Sequence, residues 1–111
     1  MTNVTDKITI LEGSTFEKNW VFKNADGTFK DFTGYIIRAQ WRRTDTNELL
    51  AQFGAEFSDP IAGSFKIALT ASSSIGLPVV DSRLDVKVDD LSGSVIRLVE
   101  ADVEFRPEVT Q

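Results

Sequence analysis

The 111-residue chain contains neither His nor Cys. Hydrolytic triads of the Ser-His-Asp or Cys-His kind are therefore impossible. The usual general base near neutral pH and the commonest transition-metal ligand are missing too. Disulfides, thiolate chemistry and Cys-based zinc sites are likewise excluded. A Ser-Lys nucleophile could draw on Ser72, Ser73 or Ser74, but serines clustered between Thr70 and Pro78 fit capping and turn hydrogen bonds better. The carboxylate pairs Glu100/Glu104 and Asp85/Asp89 could flank a sugar, yet as outward strand residues they read as a solvated face. Calcium needs only oxygens, which makes Asn24 with Asp26, and Asp89, Asp90 and Ser92, worth checking. Neither group matches an EF-hand loop, and both read first as hairpin turns. The seven glycines are scattered singly and none opens a phosphate-binding loop. These residues point to no catalytic centre, and no enzyme activity, cofactor or metal is expected.

The charges are patterned. Arg38, Gln40, Arg42 and Arg43 lie on or beside one alternating segment, Arg83, Asp85 and Lys87 on a second, and Glu100, Asp102 and Glu104 on a third. If those segments are neighbours, opposite charges face one another across a sheet, each pair worth roughly 0.2–1 kcal/mol. The functional reading is that the arginine side docks an acidic protein partner, with Arg38, Arg42, Arg43, Arg83 and Phe57 as the candidate binding residues. Nucleic acid is not expected as a partner. The net charge is −5 with a pI near 4.6, and Tyr35 and Trp41 fall on the inward parity instead of interleaving with the arginines. A glycan site would have to use Phe29, Tyr35 or Phe57, for which core or loop packing is the simpler account.

The elements that must position these groups follow a period of two. Phe16, Trp20 and Phe22 share one parity, and so do Tyr35, Ile37, Ala39 and Trp41. Leu49, Ala51 and Phe53 form a short strand that Gly54 bulges or ends. Strict alternation returns at Phe65, Ile67 and Leu69 and again at Leu84, Val86 and Val88. Asn24-Ala25-Asp26-Gly27, Thr44 to Asn47, Asp59 to Gly63 and Asp89 to Gly93 are turn chemistry. One helical turn is expected near residues 70–75, with Thr70 as its N-cap. In the last segment Ile96 and Leu98 lie on one parity while Val99, Ala101, Val103 and Phe105 lie on the other. Either a β-bulge intervenes near Leu98 and Val99, or Ile96 and Leu98 cover an edge. The pattern predicts a single all-β domain over residues 1–111, an antiparallel sandwich of two sheets in preference to a closed barrel, with loose ends at about 1–5 and 107–111. The inward set is Phe16, Trp20, Phe22, Tyr35, Ile37, Ala39, Trp41, Phe53, Phe65, Ile67, Leu69, Leu84, Val86, Val88, Val99, Ala101, Val103 and Phe105. No basic region followed by an apolar run opens the chain, and no apolar stretch approaches the roughly 20 residues that span a bilayer. Synthesis in a cytoplasm without membrane association is expected.

The order of segments resembles a family of small tailed-bacteriophage virion domains. The matching stretches are ITILEGSTFEKNWVF, NADGTFKDFTGYIIRAQWRR, GSFKIALTASSSIGLP, DVKVDDLSGSVIRLVEADVEF and RPEVT. They are similar to the N-terminal domain of the phage baseplate upper protein family, most tellingly at Asp31-Phe32-Thr33-Gly34, Gly63 to Leu69 and Pro107 to Thr110. The family often carries a glycine and aromatics after the equivalent of Leu77-Pro78, where this chain has Val79 to Leu84. The resemblance implies an immunoglobulin-like sandwich used as an assembly piece of the virion, present in several symmetry-related copies and bound to other tail, baseplate, fibre or capsid proteins. It carries over no active-site residue.

Overall fold

The computed structural model describes residues 4–107. Seven strands form one sheet: β1 (Val4–Leu11), β2 (Phe16–Val21), β3 (Ile36–Arg43), β4 (Leu49–Asp59), β5 (Ser64–Leu69), β6 (Ser82–Asp89) and β7 (Val95–Arg106). Their order is β1-β7-β6-β3-β4-β5-β2. The sheet curls until its two edges, β1 and β2, approach each other, so the fold is all-β and nearly closed into a barrel. Side chains bridge the remaining gap, where Asp6 of β1 meets both Trp20 and Lys18 of β2.

The sheet is mixed, which corrects the expectation of a purely antiparallel one. β1 runs parallel to β7, from Val4 opposite Val99 to Leu11 opposite Arg106. These are the first and last of the described strands, so no tight hairpin forces them to run in opposite directions. Their pairing also revises the expected loose start, because Val4 and Thr5 belong to β1. Residues 1–3 and 108–111, also expected to be loose, lie outside the described residues.

Gly54 does not end its strand. β4 pairs with β3 up to Ala39–Phe53 and then with β5 from Gly54–Ala68. One long strand thus hands over from one side of the barrel to the other, and the residue without a side chain sits at the switch. In the loop before β5, Gly63 adopts φ +68°; its carbonyl accepts the Phe22 N–H at 2.9 Å, and the backbones of Phe22 and Lys30 pass close against its Cα.

Among the described residues the one helical turn is a 3-10 turn over Ala71–Ser74. Thr70 holds the N-cap position, but its hydroxyl meets Ser73 Oγ at 2.6 Å instead of capping a backbone N–H. Ser74 is buried, and its hydroxyl accepts from Gly13 N–H at 2.9 Å and donates to the Ala71 carbonyl. Ser74 therefore joins this turn to the segment just after β1, while Ser73 is held within the turn by Thr70.

The bulge forms where the parity changes. Val86 pairs with Val99 and Lys87 with Arg97, which leaves Leu98 as the extra residue. Leu98 and Val99 are both fully buried. The core holds the expected inward residues, with Phe16, Tyr35 and Ile37 only partly buried, and it adds Ile8, Ile10, Leu98 and Phe32. Phe32 sits in the loop before β3 and contacts the rings of Phe22, Tyr35, Phe57 and Phe65 at centroid distances of 5.0–6.3 Å.

Candidate interaction face

Strands β3, β6 and β7 share an outward face. Because Ala39, Trp41, Leu84, Val86 and Val88 are buried, the alternate residues Arg38, Gln40, Arg42, Arg83, Asp85, Lys87 and Asp89 point out. On β7 the bulge turns both Leu98 and Val99 inward. Arg97 and Glu100, three residues apart, therefore return to the same outward face, with Arg97 Nη1 3.4 Å from Glu100 Oε2.

The register places like charges side by side. Arg38 is opposite Lys87, Arg42 opposite Arg83, Lys87 opposite Arg97, and Asp85 opposite Glu100. Of the expected opposite-charge partners, Arg83 and Asp102 stand face to face. Ion pairs do form, but along diagonals that long side chains can span. Arg38 Nη1 contacts both carboxylate oxygens of Asp89 at 2.8 and 2.9 Å. Arg83 Nη1 lies 2.6 Å from Glu100 Oε1. Arg97 Nε lies 3.5 Å from Asp85 Oδ1, an oxygen that is buried without a well-formed hydrogen bond. The hydrogen bond from Arg83 holds the Glu100 carboxyl below its ordinary pKa, against the opposing effect of burial.

Two cations stay outside these pairs. Arg42 donates to the Asn47 carbonyl and to Gln40 Oε1, both at 3.0 Å. Lys87 has no ion pair among the described residues, although Arg38 and Arg97 flank it.

The structure thus brings Arg38, Arg42 and Arg83 together and separates the other two candidates from them. Arg43 ends β3 on the opposite parity and binds Asp45 through two 3.1 Å hydrogen bonds, which hold the Asp45 carboxyl below its ordinary pKa. Phe57 is half-buried and stacks on Phe32, because it continues the inward series of Phe53 and Ala55. Tyr35 is partly buried beside Phe32 under Lys30, while Phe29 is exposed with Lys23 over its ring. Simple alternation from Val99 back along β7 assigns Arg97 to the inside. Its role becomes readable only when the bulge is counted.

The turn candidates for calcium are self-contained. Asp26 accepts from Thr28, and Asp90 accepts from the N–H groups of Ser92 and Ser94. Among the described residues no group of three or more acidic side chains is arranged to hold a metal ion. No helix among them is long and apolar enough to cross a membrane. In comparison with known proteins, the chain matches no protein-family model and no curated protein.

Proposed function

We propose that the chain is a non-enzymatic structural protein of a tailed phage particle, an adaptor in the tail, baseplate or fibre-attachment region. The observation that carries the binding role is the β3–β6–β7 face, where Arg42 stands opposite Arg83 and Lys87 stands between Arg38 and Arg97. Like charges directly opposite one another destabilise an isolated sheet. A carboxylate-bearing partner would relieve that repulsion, so the face suits an acidic protein surface. The particle itself is inferred from the sequence resemblance, as is assembly in the host cytoplasm before incorporation into the virion.

The same reading treats the curled sheet as an immunoglobulin-like sandwich that shares β4 between its layers. The pairing of β4 first with β3 and then with β5 supports it. Binding through free sheet edges, a natural mode for an open sandwich, is less favoured than binding through the face. Each edge strand already has the other across a gap filled by Asp6.

Mass spectrometry and cryo-EM of purified particles test this function. Density for the chain at the tail or baseplate, with acidic residues of a neighbour over Arg42 and Lys87, is the expected result. Absence from purified particles overturns the virion assignment. Density on the head shell replaces the adaptor role with that of a capsid decoration protein.

A further inference from the structure

Strands β3 and β6 run antiparallel, so their ends mark two poles of the molecule. At one pole Ile36, Asp89 and Val95 stand side by side on the outward face, and the hairpin after Asp89 folds Leu91 over Gly34. Ile36, Leu91 and Val95 are 64%, 76% and 56% exposed. They form an apolar knob that the described residues leave uncovered. Arg38, Lys87 and Arg97 stand in the next row; Arg97 is paired with Asp85 and Glu100, so Lys87 is the cation of that row with no ion pair among the described residues. Of the nearby carboxylates, Asp89 is bound by Arg38 and Asp90 is turned onto its own loop.

At the other pole, where Arg43 pairs with Ser82, there is an open groove of about 670 Å³. Val80 and Phe105 contribute apolar lining, and the carboxylates of Asp45, Asp81, Asp102 and Glu104 outnumber the cations. Asp45 and Glu104 are bound by neighbouring arginines, whereas Asp81 and Asp102 make no salt bridge among the described residues. The poles are seven residue steps apart along β3, or roughly 23 Å. The knob therefore cannot fill the groove of its own chain.

We propose that a second copy of this chain fills it. The Leu91 hairpin of one copy seats in the acidic groove of the next, bringing Lys87 toward Asp81 and Asp102. Knob and groove differ in shape and in the sign of their charge, so the contact is heterologous and head-to-tail, and its repetition gives a ring or a filament. The inference builds on the reading of the chain as an assembly module, but it does not need the phage assignment.

Sedimentation velocity of the purified full chain tests it. Association that rises with concentration and weakens with salt is expected. Leu91→Asp spoils the knob, and Asp81→Lys with Asp102→Lys spoils the groove. All three positions are exposed, and circular dichroism checks that each variant folds. Each variant alone should raise the dissociation constant at least about tenfold. An equimolar mixture of the two should recover dimers but nothing longer, because each supplies the half that the other lacks. A wild-type chain that stays monomeric overturns the proposal, as do single variants that still associate or a mixture that fails to. Should Leu91→Asp misfold, Leu91→Ser takes its place in the same mixing experiment. A monomeric wild type leaves binding to other virion proteins standing, whereas absence from particles removes that reading and leaves self-association intact.

Discussion

Asp6, on one edge strand of the sheet, accepts the indole Nε1–H of Trp20, on the other edge strand, at 3.2 Å. The same carboxylate lies 3.1 Å from Lys18 Nζ and accepts the Lys7 backbone N–H at 2.8 Å. It shares the parity of the buried Ile8 and Ile10, so an inward-pointing acid occupies the gap where another strand could otherwise add. Burial pushes the Asp6 carboxyl up, but the Lys7 N–H, Lys18 and Trp20 together hold it below its ordinary value of 3.8.

A lowered folded-state pKa fixes the sign of the pH effect. Stabilisation by Asp6 is complete above the unfolded-state value and is lost as pH falls through the lower folded one. Asp6→Asn should therefore lower the melting temperature at pH 7, and its deficit against wild type should shrink below about pH 4. Asp6→Ala, which leaves the Trp20 N–H without its acceptor, should cost about 1–3 kcal/mol and increase aggregation. Thermal melts at a series of pH values check both, and a deficit that does not vary with pH would remove the assigned role of the Asp6 charge.

Trp41 is fully buried, packs edge-on against Phe53 and Phe105, and donates Nε1–H to Ser82 Oγ at 2.8 Å. Ser82→Ala should cost about 1–3 kcal/mol, because it strands a buried donor. Trp41→Ala should cost about 3–5 kcal/mol through the cavity it leaves. Trp41→Phe should fall between them, and it should make a following Ser82→Ala nearly neutral, since the donor is then gone. Urea denaturation of the three variants and the double variant measures this coupling.

Gly63 and Gly27 both have positive φ, at +68° and +88°, but their surroundings differ. A Cβ on Gly27 meets nothing within 4 Å, whereas one on Gly63 would lie 2.3 Å from the Phe22 carbonyl oxygen and 3.0 Å from that of Lys30. Backbone cannot yield as a side-chain tip can. Gly27→Ala should cost about 1 kcal/mol for its conformation alone, while Gly63→Ala should exceed about 3 kcal/mol or prevent folding. Soluble yield and melting temperature, compared side by side, decide it.

The strands were legible because their apolar residues alternate, and the bulge because Leu98 and Val99 break that alternation. Leu98 should accordingly behave as core, with Leu98→Ala costing about 2–5 kcal/mol. Phe32 was not legible as a core residue. It belongs to no strand, so it has no parity, and its burial depends on Phe22, Phe57 and Phe65 converging from three separate segments. The parallel placement of β1 was hidden for a related reason, since alternation shows that a strand exists but not which neighbour it joins. On the candidate face, the outward arginines were readable. The pairing of like with like was not, because it depends on a register that places residue 38 opposite 87 and residue 42 opposite 83.

That register yields a prediction that separates a solvated ladder from a face kept for a partner. Lys87 stands between Arg38 and Arg97 and lacks a carboxylate of its own among the described residues. If the charges served only to stabilise the sheet, reversing this one should do harm. The geometry predicts the opposite. Lys87→Glu should place a carboxylate between two arginines and stabilise the isolated chain at low salt by about 0.2–1 kcal/mol, with the gain fading as salt screens it. The same substitution should weaken binding to an acidic partner, which would then meet a carboxylate where it had met a cation. Melting temperatures at low and high salt measure the first effect, and binding to the neighbour identified in particles measures the second. A variant that is less stable at low salt would mean that Lys87 belongs to the sheet's own electrostatics, and the face would lose its claim as a docking surface.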